Sequence, residues 1–414
     1  MPTNMPQTSA IARRAQSNGA RVNTAKVLRA ILRNAVDHGL DELSIGQVAK
    51  LSGLTTGAIY GRFEDRDEMA IELWQSVVKE PFKARLHRNV DYIYGSLSTS
   101  QSSRQIADSE AVLRSDFENP DEIAKLGVEF LVVARRNLAI GEVVSPEVTS
   151  WFAELGLSKT NNAIDNAAIA LALSASIGTA MRAFVMKSNP NWLEIADGLR
   201  AAATDATSIA LQTKPVLPKG INPETDNPVR TALIHAVAEV VAKSGYAAAT
   251  ISRIVRRANV TNGSLYNLYA DKEALTDDAM QIFLNLSADI NRYGNRQAAV
   301  EARNDRGLAA SFALGLIPSR RIWLDFRLEC LIASRNHLPT RRKFRQSLEL
   351  SRDNLGATMP DLPTEIINLL SSGEQAVGIG FTALEPFTSV LRECDFYSIM
   401  VKLSEQNHLL LRGE

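Results

Sequence analysis

What most limits the fold of this chain is that it contains one segment twice. Identical residues recur at a constant offset of 206 positions: Gly39 and Gly245, Ile45 and Ile251, Gly57 and Gly263, Tyr60 and Tyr266, Asp65 and Asp271. No gap is needed between the first of these pairs and the last. Because residue spacing sets helix length and turn position, a gapless copy must build the same local structure again. Farther along the match loosens but persists. Ala134-Arg135-Arg136-Asn137 resembles Ala333-Ser334-Arg335-Asn336, and Ile177-Gly178 resembles Ile379-Gly380. The chain reads as a tandem duplication, and two copies are too few for a solenoid.

Each copy has helical spacing. Val27, Leu28, Ile31, Leu32, Ala35 and Val36 form one apolar face, which Gly39 closes. Ser44 is placed to cap a short second helix carrying Ile45, Val48 and Ala49, and Ser52-Gly53 turns the chain. Thr55 and Thr261 then stand where a hydroxyl caps a third helix. Ile59 and Phe63 in one copy, Leu265 and Tyr269 in the other, are four apart and face a core. This leaves Thr56, Gly57, Tyr60 and Gly61 outward in the first copy, and Asn262, Gly263, Ser264, Tyr266 and Asn267 in the second. Small and polar outward residues after a turn fit the second helix of a helix-turn-helix, with tyrosine hydroxyls able to donate to phosphate oxygens. The tyrosines are also capable of simple packing. Asn262 suits either a bidentate pair with adenine or plain solvation, and the Thr56 methyl suits contact with thymine.

Overall composition adds bounds. With 414 residues the chain has room for two or three cores, and its formal charge of zero means that any nucleic-acid contact must be local. Arg13, Arg14, Arg21, Lys26, Arg29 and Arg33 all precede the first acidic residue, Asp37. Only Cys330 and Cys394 occur, without metal-ligand spacing, which fits a reducing cytoplasmic compartment. No signal-like start is present, and no segment is expected to reach the length of a membrane span.

The expected organisation is a flexible basic arm over 1–22, a first helix-turn-helix domain over 23–80 and a first helical body over 81–212. A Pro-rich linker follows over 213–228, then a second helix-turn-helix domain over 229–286 and a second body over 287–414. Within the bodies, helices are expected over 107–117, 121–138, 146–155, 162–186 and 192–211, with a Ser/Thr/Gln-rich loop over 95–105. The low-charge helices 162–186 and 192–211 should pack against their counterparts 364–384 and 395–411, as in a four-helix bundle.

These residues resemble the TetR family of bacterial transcriptional regulators, over Thr24 to about Val77 and again over Val229 to about Phe283. The resemblance implies an all-α fold, each unit having a DNA-binding head and a body for ligand binding and dimerisation. Here the two units would form a pseudo-dimer within one chain. It places a DNA-reading face on Thr55, Thr56, Gly57 and Ala58, and phosphate contacts on Ser44, Tyr60, Arg62 and Arg66. The second copy supplies Thr261, Asn262, Gly263 and Ser264, with Thr250, Tyr266 and Lys272. Leu268 departs from the pattern: it stands where Arg62 does in the first copy, and the family usually has histidine there. Arg253, Arg256 and Arg257 are candidates to compensate.

The implied partner is double-stranded DNA, read as an approximately palindromic operator, and the implied role is repression. The resemblance also implies release by a small apolar effector, for which Trp151, Phe152, Phe184, Trp323, Phe326 and Phe381 are candidate lining residues, although aromatics at helical spacing are more commonly core. Enzyme chemistry is not indicated, because His38, His87, His235, His337 and His408 are scattered and no phosphate loop or nucleophile elbow occurs. No cofactor or metal is expected. The rival reading is a TetR-fold adaptor that acts through a protein partner with DNA contact reduced or lost, to which Leu268 and the zero net charge point.

Overall fold

The computed structural model describes residues 7–94, 103–186, 191–209, 223–300 and 312–412, and among these every regular element is helical. Most of the expected linker, residues 213–222, lies outside the described residues. Two compact units divide the chain, Met1–Glu80 and Pro81–Glu414.

The first unit holds α1 (Gln7–His38), α2 (Ile45–Ser52), α3 (Thr56–Tyr60) and α4 (Arg66–Leu73), followed by a π-helical segment at Trp74–Val78. The expected arm is corrected in part. Helix α1 begins at Gln7, because the good helix formers Ala, Arg and Gln in this stretch outweigh its one internal glycine, Gly19. The core of the unit is Val27, Ile31, Ala35, Val48, Ile59, Met69, Leu73 and Trp74, all of them buried. The chain leaves α1 through Gly39 at φ 92, a left-handed position that favours glycine.

The second unit begins inside α5 (Lys79–Ile93) and continues with α6 (Ser103–Glu118), α7 (Glu122–Ala134), α8 (Leu138–Glu154), α9 (Ala163–Arg182) and α10 (Trp192–Asp205). The second copy supplies α11 (Pro228–Ser244), α12 (Ile251–Ala258), α13 (Asn262–Tyr266) and α14 (Lys272–Val300). After these come α15 (Arg321–Ala333), α16 (Leu338–Thr358), α17 (Thr364–Leu384) and α18 (Phe396–Arg412). Pro228, expected in the linker, instead opens α11, where its missing N–H is no loss. Pro146, expected to start a helix, lies inside α8. The start of α8 is set earlier by Asn137, whose Oδ1 accepts from the Ile140 N–H at 3.1 Å. Ser103 and its neighbours, expected in a loop, open α6.

The bundle at the centre of this unit draws helices from both copies. Helix α9 packs along α17, and α10 along α18. The crossing of α9 and α17 is reciprocal. A Cβ added to Gly178 would meet the carbonyl oxygen of Ala376 and lie 2.9 Å from the nitrogen of Gly380; one added to Gly380 would meet the carbonyl oxygen of Ser174 and lie 2.7 Å from the nitrogen of Gly178. Ser174 and Ala376 have the same separation in sequence as Gly178 and Gly380, so equivalent residues exchange equivalent contacts, the signature of a two-fold interface. Beside it, Arg136 of α7's following turn binds Glu329 (Nε to Oε1, 2.6 Å), while Arg335 binds Glu129 (Nη2 to Oε2, 2.6 Å). These two buried pairs cross between the copies in opposite directions.

Helix α9 also corrects the expectation about membrane spans. By length and composition it would suffice to cross a membrane, yet 89% of its apolar window is buried against other helices of the chain. Its low charge is explained by its place at the centre of the bundle.

Candidate nucleic-acid interface

In the first copy, Gly53 at φ 69 ends α2 and Thr55 starts α3, its Oγ1 accepting from the Ala58 N–H at 3.2 Å. Ile59 is fully buried while Tyr60 is 60% exposed, so the one-residue step between them, about 100° around the helix, separates core from surface. Thr55, Thr56, Gly57, Ala58 and Arg62 are exposed with it. The Arg62 side chain makes no hydrogen bond or ion pair among the described residues. Phe63, expected in the core with Ile59, is only half-buried.

The second copy repeats this with substitutions. Asn259 takes the left-handed turn position at φ 55 in place of glycine, a role that asparagine tolerates best among residues bearing a Cβ. Thr261 Oγ1 accepts from the Ser264 N–H at 3.1 Å. Leu265 is fully buried, Tyr266 is 56% exposed, and Thr261, Asn262 and Gly263 are exposed; Ser264 is half-buried. Leu268 is exposed, so an apolar side chain occupies the surface position that Arg62 fills in the first copy.

The remaining phosphate candidates differ among themselves. Ser44 stands at the N-cap of α2 but its hydroxyl makes no cap bond; its backbone N–H donates to Oδ1 of the buried Asn34 at 3.0 Å. Thr250, at the matching position, does cap, accepting from the Arg253 N–H. Arg66 donates from Nη1 to the Asp41 carbonyl at 2.6 Å, and Lys272 donates to the Tyr246 carbonyl at 3.1 Å while lying over the Tyr246 ring. Both cations thus tie the fourth helix of their copy to the turn after the first. Of the three arginines offered as compensation, Arg253 donates to the Ala248 carbonyl and Arg257 pairs with Glu239. Arg256, like Lys50 at the matching position of α2, is exposed and unengaged among the described residues.

One cluster has no counterpart in the first copy and left no clear sequence signal. Asp278 accepts from Arg230 Nε and Nη2 at 2.9 and 2.7 Å, and from the Tyr269 hydroxyl at 2.5 Å. Burial pushes the Asp278 carboxyl up, but the hydrogen bonds from Arg230 and Tyr269 outweigh it and hold it below the usual carboxylate range. At the offset of the duplication the first copy has Thr24, Phe63 and Glu72 instead. The second copy also packs directly on helices of its body: Trp323 stacks on Phe283 and meets His235 edge-on, and Thr340 Oγ1 donates to Asp277.

The aromatic residues offered as an effector pocket are core. Trp151, Phe152, Phe184, Trp323, Phe326 and Phe381 are all buried; Phe152 meets Phe387, Trp323 meets Phe283 and Phe326, and Phe381 meets Phe312 and Phe396. A cavity of about 280 Å³ lies elsewhere, between Arg182, Met186 and Asn191 on one side and residues of α16 and α17 on the other, and none of the six lines it.

A family model described as "Bacterial regulatory proteins, tetR family" matches residues 27–73 and again residues 233–279. A curated protein, the HTH-type transcriptional regulator AcrR of Shigella flexneri, is 37% identical over 49 residues. That match covers 12% of this chain and 23% of the relative, about the extent of one head. The two stretches matched by the family model are those whose helices, caps and turns recur, so the chain carries two TetR-type helix-turn-helix heads on one polypeptide.

Proposed function

We propose that this chain is a DNA-binding transcriptional regulator, a repressor, that reads an approximately palindromic operator with two non-identical recognition helices. The observation that carries the reading is the reciprocal crossing of α9 and α17 at Gly178 and Gly380, which gives one polypeptide the internal two-fold relation that homodimers obtain from two chains. A two-fold body suits a two-fold operator. The reading helices α3 and α13 carry Thr56-Gly57-Ala58 and Asn262-Gly263-Ser264, so the two half-sites are expected to differ. Release by a small molecule belongs to the same proposal, but the six buried aromatics are no longer its basis.

The test is selection of bound duplexes from a randomised pool by the purified chain near physiological salt. An inverted repeat with unequal halves supports the proposal, and a perfect palindrome with equal contacts to both halves counts against the asymmetry. Absence of any enrichment, with and without removal of co-purified small molecules, moves the function to the adaptor reading. That reading is favoured by the exposed Leu268 and by the engagement of Arg253 and Arg257 within the chain.

A further inference from the structure

Where α15 meets α7 and α17, arginines outnumber the carboxylates available to them. Arg335 takes Glu129 and Arg136 takes Glu329. Arg135 and Arg321 share Asp325, and Arg321 also binds Glu385 Oε2 at 2.6 Å. These pairings use the carboxylates of the cluster and leave Arg320 and Arg327. Arg320 is 6% exposed, its Nε has no partner, and none of its guanidinium nitrogens has an acid within reach among the described residues. Arg327 donates from Nη2 to the Thr382 hydroxyl at 3.0 Å, but its Nε is likewise without a partner.

The two side chains belong to one face. They are seven residues apart, two helical turns, and Arg320 sits at the N-cap of α15. Arg321 reaches the same neighbour as Arg327, since its Nη2 donates to the Thr382 carbonyl at 3.2 Å. Burial lowers the Arg327 guanidinium to about 10, and the nearby charges of Arg320 and Arg321 act in the same direction. A guanidinium does not discharge at neutral pH, so neither of the two can relieve its position by losing a proton. Buried like charges with unsatisfied donors are strongly unfavourable unless an anion joins them.

We propose that Arg320 and Arg327 form an anion-binding site that takes an oxyanionic group, a phosphate or carboxylate, between α15 and α17. The fork of donors on each guanidinium matches the paired oxygens of such a group, and Arg327, half-buried, provides the side open to solvent. The site shares no residue with the stretches proposed to read DNA and does not depend on the regulatory reading. At the offset of 199 that aligns Ala134–Asn137 with Ala333–Asn336, the first copy has Asp121 and Val128 in their place, so the site belongs to the second copy alone.

The experiment uses the full-length protein without DNA. Its thermal midpoint is followed against inorganic phosphate, and separately against succinate, at ionic strength held constant with chloride. Expected is a midpoint that rises with the logarithm of anion concentration, as mass action requires. The rise should weaken at least tenfold in apparent affinity for Arg320→Gln and for Arg327→Gln. Response to phosphate alone or to succinate alone identifies the preferred group. If the wild type shows no response up to tens of millimolar, or if both variants respond as the wild type does, the proposal is overturned. Should Arg320→Gln fail to fold, Arg327→Gln, the more exposed position, carries the comparison.

Discussion

At the scale of single residues the two heads are near copies with unequal chemistry. Arg62 is exposed and unengaged, whereas its counterpart Leu268 offers no charge to a phosphate. Arg62→Ala should therefore weaken operator binding and reduce the slope of log affinity against log salt by about 1, and Leu268→Arg should strengthen binding and increase that slope by about 1. Fluorescence anisotropy across a salt series measures both. Arg66 is expected to behave differently from Arg62. Its guanidinium holds the Asp41 carbonyl, so Arg66→Ala should lower the melting temperature of the first head more than it changes the salt slope. Equal loss of salt slope in the two variants would return Arg66 to the phosphate-binding set. The recognition stretch itself was legible from sequence because caps, turn and core pair are local rules that a few residues satisfy. The carbonyl contacts of Lys272 and Arg66 were not, since a cation next to a turn looks the same whether it faces a phosphate or a backbone carbonyl.

At the scale of elements, the bundle depends on two glycines that admit backbone to backbone contact. Gly178→Ala should cost about 1–3 kcal/mol, because the added methyl meets the Ala376 carbonyl and rigid helix backbone cannot yield. Gly380→Ala should cost a similar amount. The double variant should cost less than the sum, since the first methyl already parts the helices where the second would intrude. Urea denaturation of the three variants checks this, and strict additivity would argue against a shared crossing point. A second element-level expectation concerns acid. Asp278 is held below the usual carboxylate range by Arg230 and Tyr269 against the effect of burial. Its contribution to stability is thus present above the unfolded value of about 3.9 and is lost as pH falls through the lower folded value. The stability gap between wild type and Asp278→Asn, followed by thermal melts between about pH 5 and pH 2, should shrink on acidification. A gap that stays constant would mean the network contributes through packing and not through charge. Element boundaries were read less well than heads: Pro146 marked a start to the eye, but the Asn137 cap and the burial of Val144, Val148 and Trp151 carry α8 through it. The six aromatics could not be assigned from spacing, because periodicity locates a buried face without saying whether a cavity or another side chain covers it.

At the scale of the molecule, gene-level duplication removes a constraint that every homodimer obeys. In a homodimer a change to the reading helix alters both half-sites together; on the proposed reading α3 and α13 of this chain change separately, which would allow an operator whose halves diverge. Mass action changes as well. If one chain supplies both reading helices, as proposed, it needs no association step, so occupancy should follow a simple hyperbola with one chain per operator. Sedimentation of the complex at nanomolar and micromolar protein should give the same stoichiometry. The sharpest test of this design is to make the two reading helices alike. The double substitution Thr56→Asn with Ala58→Ser gives the first copy the Asn-Gly-Ser of the second without touching Thr55, Ile59 or Tyr60. Both changed residues are exposed, so the fold should be preserved, and circular dichroism with a thermal melt would verify it. Selection from a randomised duplex pool should then return two half-sites that resemble the one read by α13, a more symmetric operator than the wild type selects. If the variant remains folded and selects the same unequal halves as before, residues 56 and 58 do not read bases, and specificity lies with the phosphate contacts and the shape of the duplex.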